Sequence, residues 1–462
     1  MERIKLLPFT YKKLENKYLL VNDVGEYFFL TTKQFDDLVN KRSRNINLKG
    51  KLYYQNEEEL TSFISRYRKN KFYLNNSTSL FILVLTNRCI LNCVYCQASK
   101  INCPDKKYDM TLVTAKKAVE LILQSPTGNI TIEFQGGEPL LNFDILSYIV
   151  EYLNKYAKLF NKTIQYNIVS NLIPLDNKKL DFLIKNKVSL CTSLDGNKLV
   201  QNFNRPADFG DSLELLITKI NMIKKSYPSN RLHLNAIQTT TRISLGYSKE
   251  IVDEYRKLGF HSIFLRYLNP FGLAKPRLEE IGYSPYEFLK FYKKTLDYII
   301  SINLKGERFI EGTTQIFLRK IFGSSRYQFM DIRSPCGASI GQMAFNHDGK
   351  VYTCDEGRMV AEVGDLSFCV GDLNNNSYSD LIKSDVTKKV VFASCSECFQ
   401  RCHQCVYRSY CGVCPIINYV QEGSMLKNNG FRCTINNGIL DIIFDYLKKD
   451  SKVTNLFKNW IN

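Results

Sequence analysis

The sequence predicts an α/β fold in which a partial barrel of six parallel strands follows a small α+β module and precedes a cysteine-rich region. Three observations predict it. Short apolar runs alternate with longer amphipathic segments between Leu80 and Leu268, which is the pattern of repeated βα units. Two strand-like runs around a turn come before that rhythm. Ten of the fifteen cysteines lie between Cys336 and Cys433.

The first predicted element is the small α+β module, over residues 1–75. Its stretch KYLLVNDVGEYFFLT indicates two strands around a turn at Asp23 to Gly25. The following TTKQFDDLVN indicates a helix capped by Thr31 or Thr32. A packing cap on the barrel and a binding module both remain open as roles for this region.

Six apolar runs predict the strands of the barrel, over residues 76–275. They are LFILVLT, ITIEFQ, TIQYNIVS, VSLCTSL, HLNAIQTT and SIFLRYL. Parallel strands joined by helices curl into an open or partial barrel, whose chemistry lies at the carboxyl ends of the strands. The unusual residues of this sequence follow those ends, so we expect them on one rim.

The remaining elements are expected to be mostly helical. A bridging segment over residues 276–325 contains YSPYEFLKFYKKTLDYIISI. Ser284 is the expected N-cap of its helix, Pro285 is the first helical residue, and Glu287 completes a capping box with Ser284. The cysteine-rich domain is expected over residues 326–440. The stretch ILDIIFDYLKK predicts a closing helix, and the final segment is assigned to residues 441–462.

Composition narrows the class of protein. The chain carries 63 basic and 45 acidic residues, a net charge of +18, which attracts nucleic acid, a membrane surface or an acidic peptide. Lysines are spread along the whole chain, however, so a general bias explains the charge equally well. No apolar run reaches membrane-spanning length, and the N-terminus lacks a signal peptide's apolar core. We therefore expect a cytoplasmic protein with reduced, metal-binding cysteines and no membrane partner.

The stretch TNRCILNCVYCQ places Cys89, Cys93 and Cys96 in a C-x3-C-x2-C pattern. A cubane of four irons and four sulfides usually takes one thiolate per iron, so three thiolates leave one iron open. An open position distinguishes a catalytic metal site from a structural one. It can accept the amine and carboxylate of a small molecule, and the ring of Tyr95 can lie beside a purine. There are two alternatives. One is a structural zinc site that lacks its fourth ligand, and the other is that the three cysteines simply pack in the core.

Polar residues follow the next three predicted strands. They are GGEP at residues 136–139, SN at residues 170–171 and SLDG at residues 193–196. Each of them taken alone is explained by a turn or a helix cap. Because all three follow parallel strands, we expect them on the same rim as the cysteine triplet.

The triplet, with an aromatic residue before its last cysteine, resembles the signature of the radical S-adenosylmethionine (radical SAM) superfamily. The resemblance implies a partial (β/α)6 barrel of the TIM type, a [4Fe-4S] cluster on three cysteines and SAM on the open iron. In that family an electron passes to the sulfonium of SAM. Homolytic cleavage of a bond to that sulfonium gives methionine and a 5′-deoxyadenosyl radical. The radical takes a hydrogen atom from an unactivated carbon.

The same resemblance implies SAM contacts on the other strand ends. The backbone of Gly136 and Gly137 and the carboxylate of Glu138 bind the methionine amine in such enzymes. The residues that match positions for the ribose and the carboxylate are Ser170, Asn171, Ser193 and Asp195. Arg266, at the end of the sixth run, either meets the SAM carboxylate or caps its strand, and both roles stay open.

The cysteine-rich region begins with a C-x12-G-x4-C pattern and continues with CHQCVYRSYCGVC. Taken alone, its C-x2-C pairs fit zinc equally well. The layout resembles the SPASM domain, an extension of peptide- and protein-modifying radical SAM enzymes that holds auxiliary iron-sulfur clusters. The resemblance implies up to two of them, the first on Cys336, Cys354 and Cys414 with Cys395 or Cys398 as a fourth ligand, the second on Cys402, Cys405, Cys411 and Cys433.

Asp355 directly follows Cys354 in the stretch CDEGR. In sulfatase-maturing relatives an Asp at this place takes the substrate proton, so the resemblance makes Asp355 a candidate general base. The alternative is a turn residue that is solvated or paired with Arg358.

Longer phrases, such as IEFQGGEPLLNF and IVDEYRKLGFHSIFLRYLNPFGLA, resemble the radical SAM maturase of the His-Xaa-Ser peptide system. This implies a ribosomally made precursor peptide whose side chains are crosslinked by a cyclophane-type carbon–carbon bond or a thioether. It also implies a flavodoxin- or ferredoxin-type reductant. The small N-terminal module resembles a peptide-recognition element that receives a leader as an added strand, and a basic enzyme favours an acidic leader.

Two other functions are weighed against this one. A sulfatase-type maturase would make formylglycine from a Cys or Ser of a folded protein. A non-catalytic zinc or nucleic-acid module would rest only on the basic charge and the cysteine pairs, and we do not expect a nucleic-acid partner. Iron and sulfide content separates the enzymes from that module.

Overall fold

The computed structural model describes residues 4–43, 45–226, 234–323 and 329–461 of the chain. Within those ranges no helix is both long and apolar enough to cross a membrane. The domain boundaries expected from the sequence stay predictions, and the boundary between residues 325 and 326 lies outside the described ranges.

The N-terminal segment folds as a three-stranded antiparallel sheet with two helices. Its elements are β1 (Lys5–Leu6), β2 (Phe9–Lys13), β3 (Tyr18–Asn22), β4 (Tyr27–Leu30), α1 (Thr32–Val39), β5 (Tyr53–Tyr54) and α2 (Glu57–Asn70). Strands β3 and β4 flank the expected turn. Of the two expected caps it is Thr31 that caps α1, in a capping box with Gln34. The sequence does not predict β2, which pairs with β3 and completes the order β2-β3-β4.

The next segment forms the six parallel strands of the predicted barrel. Its elements are β6 (Leu80–Val84), α3 (Leu112–Leu123), β7 (Asn129–Gln135), α4 (Phe143–Tyr156), β8 (Thr163–Val169), α5 (Asn177–Lys185), β9 (Ser189–Ser193), α6 (Lys198–Asn204), α7 (Ser212–Ser226), β10 (Leu234–Thr239), α8 (Ser248–Lys257), β11 (Ser262–Ile263) and β12 (Leu265–Arg266). The strands pair in parallel in the order β6-β7-β8-β9-β10-β12. The α/β fold predicted from the βα rhythm is therefore confirmed.

The sixth apolar run differs from the prediction. SIFLRYL forms two short strands instead of one, because β11 pairs with a strand outside the barrel, β13 (Ile310–Glu311), and only β12 pairs with β10. Phe264 separates the two, and its ring packs so close to Gly312 that a Cβ there would lie 2.5 Å from it. The fifth run begins at His233, which lies outside the described residues.

Three helices connect the barrel to the cysteine-rich region: α9 (Leu278–Ile281), α10 (Pro285–Leu304) and α11 (Gly312–Phe322). Helix α10 begins as predicted. The Ser284 hydroxyl accepts a hydrogen bond from the Glu287 amide, and the Glu287 carboxylate accepts one from the Ser284 amide. The capping box is thus confirmed.

The cysteine-rich region adds three strands to the barrel sheet. Its elements are β14 (Gln342–Phe345), β15 (Lys350–Tyr352), α12 (Asp355–Ala361), β16 (Cys369–Asp372), α13 (Tyr378–Lys383), α14 (Asp385–Ala393), α15 (Gln400–His403), α16 (Pro415–Glu422), α17 (Gly430–Lys449) and α18 (Ser451–Asn459). Strand β14 pairs in parallel with β6, and β15 and β16 continue antiparallel, so the sheet has nine strands. The sequence does not predict this continuation. The closing helix is α17, which begins earlier than expected, at Gly430.

One hydrophobic core joins the N-terminal sheet to the rest of the chain. Leu19 and Val21 of β3 belong to the same contiguous cluster of buried side chains as the barrel residues and Phe444 of α17. The Phe444 ring lies 5.3 Å from that of Tyr27 and 5.6 Å from that of Tyr407. The N-terminal sheet therefore packs directly against the cysteine-rich region.

Candidate active site

One cavity of about 510 Å³ lies at the carboxyl ends of the barrel strands, and all three triplet cysteines line it. Their loop leaves β6 and is held by backbone hydrogen bonds, from Cys89 N to Ile101 O at 3.2 Å and from Val94 N to Asn204 O at 2.9 Å. Burial, reinforced by the Cys93 thiol, raises the pKa of Cys89 to about 12. Such thiols ionise when a metal supplies positive charge, as a cluster does.

An ion pair braces the start of the cysteine loop. The Arg88 guanidinium donates to both carboxylate oxygens of Asp109, at 2.7 and 2.6 Å. The Thr86 hydroxyl donates to the same carboxylate at 2.6 Å. A bidentate pair of this kind fixes the mutual orientation of the two groups. The residue that precedes the first cysteine is therefore held in place.

Gly136 and Gly137 let the end of β7 approach the cysteine loop. The amide of Gly137 donates to Thr86 O at 2.7 Å. A Cβ on Gly136 would lie 2.2 Å from Thr86 O, and a Cβ on Gly137 would lie 2.4 Å from Arg88 O. Glycine is required where two backbones come this close. Both glycines line the cavity.

Glu138 lies behind the cavity wall and is fully buried. Its carboxylate accepts hydrogen bonds from Leu140 N at 2.9 Å, from Ser170 Oγ at 2.8 Å and from Asn171 N at 2.8 Å. Burial raises the pKa of Glu138 to about 7, and these hydrogen bonds oppose the rise. The carboxylate thus ties the end of β7 to the end of β8, and it positions Ser170 and Asn171, which do line the cavity.

Asn171 also contacts the cysteine loop. Its Nδ2 donates to Cys89 Sγ at 3.7 Å, and its side-chain oxygen accepts from Ile173 N at 3.0 Å, which fixes the orientation of the amide. Hydrogen bonds to the sulfurs are among the factors that set the reduction potential of an iron-sulfur cluster. The end of β8 therefore faces both the cavity and the first thiol.

Tyr95, Asp195 and Arg205 form a buried hydrogen-bonded group beyond the end of β9. The Tyr95 hydroxyl donates to Asp195 Oδ2 at 2.6 Å and accepts from Arg205 Nε at 3.1 Å. Asp195 Oδ1 accepts from Thr239 N at 3.0 Å. Tyr95, Arg205 and Ser193 line the cavity, whereas Asp195 is fully buried behind it. Burial raises the pKa of Asp195, and the guanidinium of Arg205 opposes this.

Arg205 is a cavity residue that the sequence analysis misses. Its guanidinium carbon lies 5.8 Å from the centre of the Tyr95 ring. Burial raises the pKa of Cys93 to about 11, and the positive charge of Arg205 opposes that rise. The only signal in the sequence is the short phrase NRP after α6. An arginine in such a phrase has no metal or nucleotide signature, so only the fold brings it to the cysteine loop.

Below the rim, the interior of the barrel carries several polar side chains. The inward-facing side chains of four strands line the same cavity, namely Glu133, Asn167, Ser189 and Asn235. TIM barrels usually fill this space with branched apolar side chains, so a polar interior suits a ligand better than packing. Burial raises the pKa of Glu133, whose carboxylate accepts from Gln135 Nε2 at 2.6 Å. Arg266 of β12 lines the cavity too.

Asp355 reaches the cavity from the cysteine-rich region. It is the first residue of α12 and lines the cavity together with Arg358. Arg358 is fully buried, and it donates from Nη2 to Asp355 Oδ1 at 2.8 Å and from Nη1 to Ala98 O at 3.5 Å. Asp355 is thus paired with Arg358 and faces the cavity at the same time.

Three cysteines lie together beside α12, and we call Cys336, Cys354 and Cys414 the first thiol set. Their thiols interact electrostatically with one another. Burial, reinforced by Cys414, raises the pKa of Cys336 to about 12. The segment that carries Cys395 contacts this set, because Cys336 N donates to Ser394 Oγ at 3.0 Å and Ser396 N donates to Ser334 Oγ at 2.8 Å.

Four further cysteines lie together where α15 and the start of α17 meet, and we call Cys402, Cys405, Cys411 and Cys433 the second thiol set. Their thiols interact with one another. Three asparagine side chains donate to them: Asn428 Nδ2 to Cys402 Sγ at 3.5 Å, Asn436 Nδ2 to Cys411 Sγ at 3.5 Å, and Asn437 Nδ2 to Cys433 Sγ at 3.6 Å.

The donor chemistry of the triplet and of both thiol sets fits iron-sulfur clusters, which are held by cysteine thiolates. In the part of the chain that the structure describes, no three His, Cys, Asp or Glu side chains are close enough together to hold a single metal ion. Thiolates on a cubane stand further apart than the ligands of one ion, because each of them binds a different iron. The lack of a single-ion site among the described residues is therefore compatible with clusters.

Comparison with known families and proteins agrees with this geometry. Residues 83–234 match the model of the Radical SAM superfamily. The uncharacterized protein MJ0907 of Methanocaldococcus jannaschii is 34% identical over 199 residues, which cover 43% of this chain and 64% of that protein. The radical SAM cyclopropyl synthase TigE of Paramaledivibacter caminithermalis is 24% identical, over 74% of this chain and 70% of TigE. A cysteine-type anaerobic sulfatase-maturating enzyme of Clostridium perfringens is 24% identical, over 76% of this chain and 92% of that enzyme.

Solved structures share the fold. Native anSMEcpe with bound AdoMet superimposes with a TM-score of 0.68 at 20% identity, over 83% of this chain and 99% of that one. Streptococcus suis SuiB bound to the precursor peptide SuiA gives a TM-score of 0.54 at 13% identity, over 93% and 99%. None of these proteins is named as a His-Xaa-Ser maturase, so that assignment stays a prediction. The chain contains a radical SAM domain and has homologues among enzymes of the SPASM and sulfatase-maturase type.

Proposed function

We propose that this chain is a radical SAM enzyme of the SPASM type that modifies a ribosomally made precursor peptide and crosslinks its side chains. The observation that carries the proposal is the shared cavity, which the cysteine triplet faces from the barrel and Asp355 faces from the cysteine-rich region. The polar barrel interior below it suits a peptide side chain. The names of two similar proteins support this class, a cyclopropyl synthase and a protein bound to a precursor peptide.

The residues around the cavity fit the two cofactors of such an enzyme. Cys89, Cys93 and Cys96 would bind a [4Fe-4S] cluster, with SAM on its open iron. When bound, this pair supplies the 5′-deoxyadenosyl radical that removes hydrogen from carbon. The backbone of Gly136 and Gly137 would bind the methionine amine. Glu138 would act from behind the wall, by holding the end of β8 in place.

Three arginines line the cavity. Arg358 pairs with Asp355, and we assign different roles to the other two. Arg205 would bind the SAM carboxylate, because Tyr95 holds its guanidinium beside Cys93. Ser170, Asn171 and Ser193 would bind the ribose, and the ring of Tyr95 would border the adenine. Arg266 then remains for the peptide, on the sixth strand of the barrel.

Asp355 is the proposed general base. After hydrogen abstraction, the peptide must lose a proton and an electron before a new bond is complete. The Asp355 carboxylate faces the cavity, and Arg358 fixes its position. The preceding residue, Cys354, belongs to the first thiol set. The groups that would take the proton and the electron are therefore neighbours in the chain.

The two thiol sets would hold auxiliary clusters. The second set offers four thiols, and the first set offers three. Cys395 or Cys398 would supply the fourth ligand of the first set. A reductant of the flavodoxin or ferredoxin type would exchange electrons with the protein in the cytoplasm.

The N-terminal sheet would receive the leader of the precursor at β4. Among the described strands, β4 is an edge of its sheet, and none pairs with its outer side. Helix α2 runs beside the start of β4, where Arg66 binds Glu26 at 2.7 Å and Asn70 donates to Val24 O at 2.6 Å. An added strand would take its place between β4 and α2.

Release of 5′-deoxyadenosine from SAM tests the radical core. The anaerobically reconstituted, dithionite-reduced protein should release it, and a variant with Cys89, Cys93 and Cys96 changed to Ala should not. Cys103→Ala is the matched control, because this cysteine belongs to neither the triplet nor a thiol set. Equal release from the triple variant would contradict the assignment.

The mass of a co-expressed precursor tests the crosslink. We expect a loss of two hydrogens for each bond formed, and the first candidate substrate is a peptide with His-Xaa-Ser repeats. An unchanged mass with enzyme that is active on SAM would reject that peptide as the substrate.

Formylglycine formation is the second candidate function. It is favoured by the similarity to the sulfatase-maturating enzyme, which extends over 92% of that protein. Its product is an aldehyde, so a hydrazide probe would label a Cys- or Ser-containing target after reaction. A crosslinked peptide gives no such label, and the two functions are thereby separated.

A further inference from the structure

The first thiol set lies beside carboxylates. Glu356 is the strongest charged neighbour of Cys354. Asp331 acts more weakly, on Cys336 and on Cys414, whose strongest charged neighbour is Arg432. Glu356 and Asp331 also line one small cavity of about 90 Å³. Reduction adds an electron to a cluster, and nearby negative charge opposes that addition.

The second thiol set lies beside hydrogen-bond donors. Asn428, Asn436 and Asn437 donate to three of its four sulfurs, at 3.5, 3.5 and 3.6 Å, and the amide of Tyr407 donates to Cys405 Sγ at 3.4 Å. Arg401 is a charged neighbour of both Cys402 and Cys433. Donors and positive charge favour the reduced state.

Two other features do not cancel this difference. The first set also receives donors, from Ala338 N to Cys336 Sγ at 3.3 Å and from the Thr353 hydroxyl to Cys354 Sγ at 3.8 Å, but these act against its carboxylates. Arg432 interacts with a cysteine of each set, Cys414 and Cys411. It acts more strongly on Cys414, where it opposes the carboxylates. The difference between the two sets therefore rests on the asparagine donors of the second set.

We propose that Asn428, Asn436 and Asn437 raise the reduction potential of a cluster on the second thiol set above that of a cluster on the first. This rests on the proposed function, which supplies the two auxiliary clusters. Each crosslink takes two hydrogens from the peptide, one as an atom by the 5′-deoxyadenosyl radical and one as a proton by Asp355 with an electron. That electron reduces one oxidised auxiliary cluster by one electron, and at equilibrium it resides on the second set.

A redox titration followed by electron paramagnetic resonance tests the order of the two potentials. The starting protein carries Cys89, Cys93 and Cys96 changed to Ala, so that only auxiliary clusters remain. Cys336→Ala with Cys354→Ala identifies the signal of the first set, and Cys402→Ala with Cys411→Ala identifies that of the second. We expect the signal of the second set to appear at the higher potential, and the reverse order would overturn the inference.

Substitution of the asparagines tests their part in this difference. Asn436→Leu and Asn428→Leu each remove one donor and should shift the second potential downward while the first stays unchanged. Asn436→Asp adds a negative charge and should shift it further. Asn375→Leu, at an exposed position, is the matched control and should shift neither potential.

A purely structural role for these amides would leave the second potential unmoved in variants with full iron and sulfide content, and that result would overturn the inference. If Asn436→Leu lowers the iron content, the more exposed Asn428 decides the question. Absence of both auxiliary signals would contradict the auxiliary clusters of the proposed function itself. Two signals in the wrong order would contradict only the present inference.

Discussion

Glu138 is a buried acid whose ionisation should be visible in the stability of the apoprotein. Burial raises its pKa to about 7, whereas an unfolded chain has a glutamate pKa of about 4.3. Between these values the folded state holds a proton that the unfolded state has lost, so stability falls as the pH rises through this window and levels off above it. Thermal unfolding of wild type and Glu138→Gln at several pH values measures the effect.

The Glu138→Gln variant should lack this slope, because glutamine does not titrate. It should also unfold at a lower temperature, because the new amide nitrogen would face a hydrogen-bond donor. This should lower the free energy of unfolding by about 1–3 kcal/mol. Two curves with the same pH dependence would mean that Glu138 titrates normally in the folded protein.

Asp355 should affect the product more than the initiation of the reaction. Asp355→Asn keeps the size of the side chain but cannot take a proton, so crosslinking should fall by about 10²- to 10⁴-fold, the usual contribution of a general base. Release of 5′-deoxyadenosine should persist. Asp385→Asn, at an exposed ion pair with Lys388, is the control. Equal losses of release and crosslinking would instead indicate that Asp355 only anchors Arg358.

Single residues also show how far a sequence can predict a site. The C-x3-C-x2-C spacing is local, so one loop must carry all three thiols, and the structure brings them to one cavity. Spacing does not tell which side chains of a turn face inward. Glu138 and Asp195 were expected at the cavity, yet both lie behind its wall, and Arg205 reaches the wall through a contact between segments distant in the sequence.

At the scale of elements, the junction of β7 with the cysteine loop is the most sensitive to substitution. A Cβ at Gly137 would lie 2.4 Å from Arg88 O, so Gly137→Ala should displace the loop and lower iron binding at the triplet and 5′-deoxyadenosine release together. The two thiol sets should keep their iron, as measured by iron content and spectra. Gly246→Ala is the matched control, because a Cβ there has no heavy atom within 4 Å. Unchanged iron at the triplet would show that the two backbones can separate freely.

The strands of the barrel were predictable, because their apolar runs have a local signature. The neighbouring strands with which they pair were less predictable. β11 leaves the barrel because β13, far along the chain, pairs with it, and β14 joins β6 across more than half of the sequence. Alternation of apolar residues identifies a strand but carries no information about which distant strand lies beside it.

At the scale of the whole molecule, the net charge of +18 should govern the capture of the leader. Opposite charges at the surface are screened within about 10 Å at an ionic strength of 0.1 M. Binding of a labelled acidic leader, followed by fluorescence anisotropy, should therefore weaken as salt is raised. A leader with its acidic residues changed to amides should bind more weakly and show little salt dependence. Equal salt dependence of both peptides would contradict electrostatic capture.

The pairing of β14 with β6 sets a limit on how such a protein can be recombined. The first strand of the barrel, β6, has one of its two neighbours in the cysteine-rich region. A cut between the two would therefore leave the apolar edge of β6 exposed to other chains. The barrel therefore cannot simply be joined, at the boundary expected from the sequence, to the C-terminal half of another protein. A chimaera that exchanges the cysteine-rich region for that of another maturase must therefore carry over β14 of this chain, or replace β6 along with it.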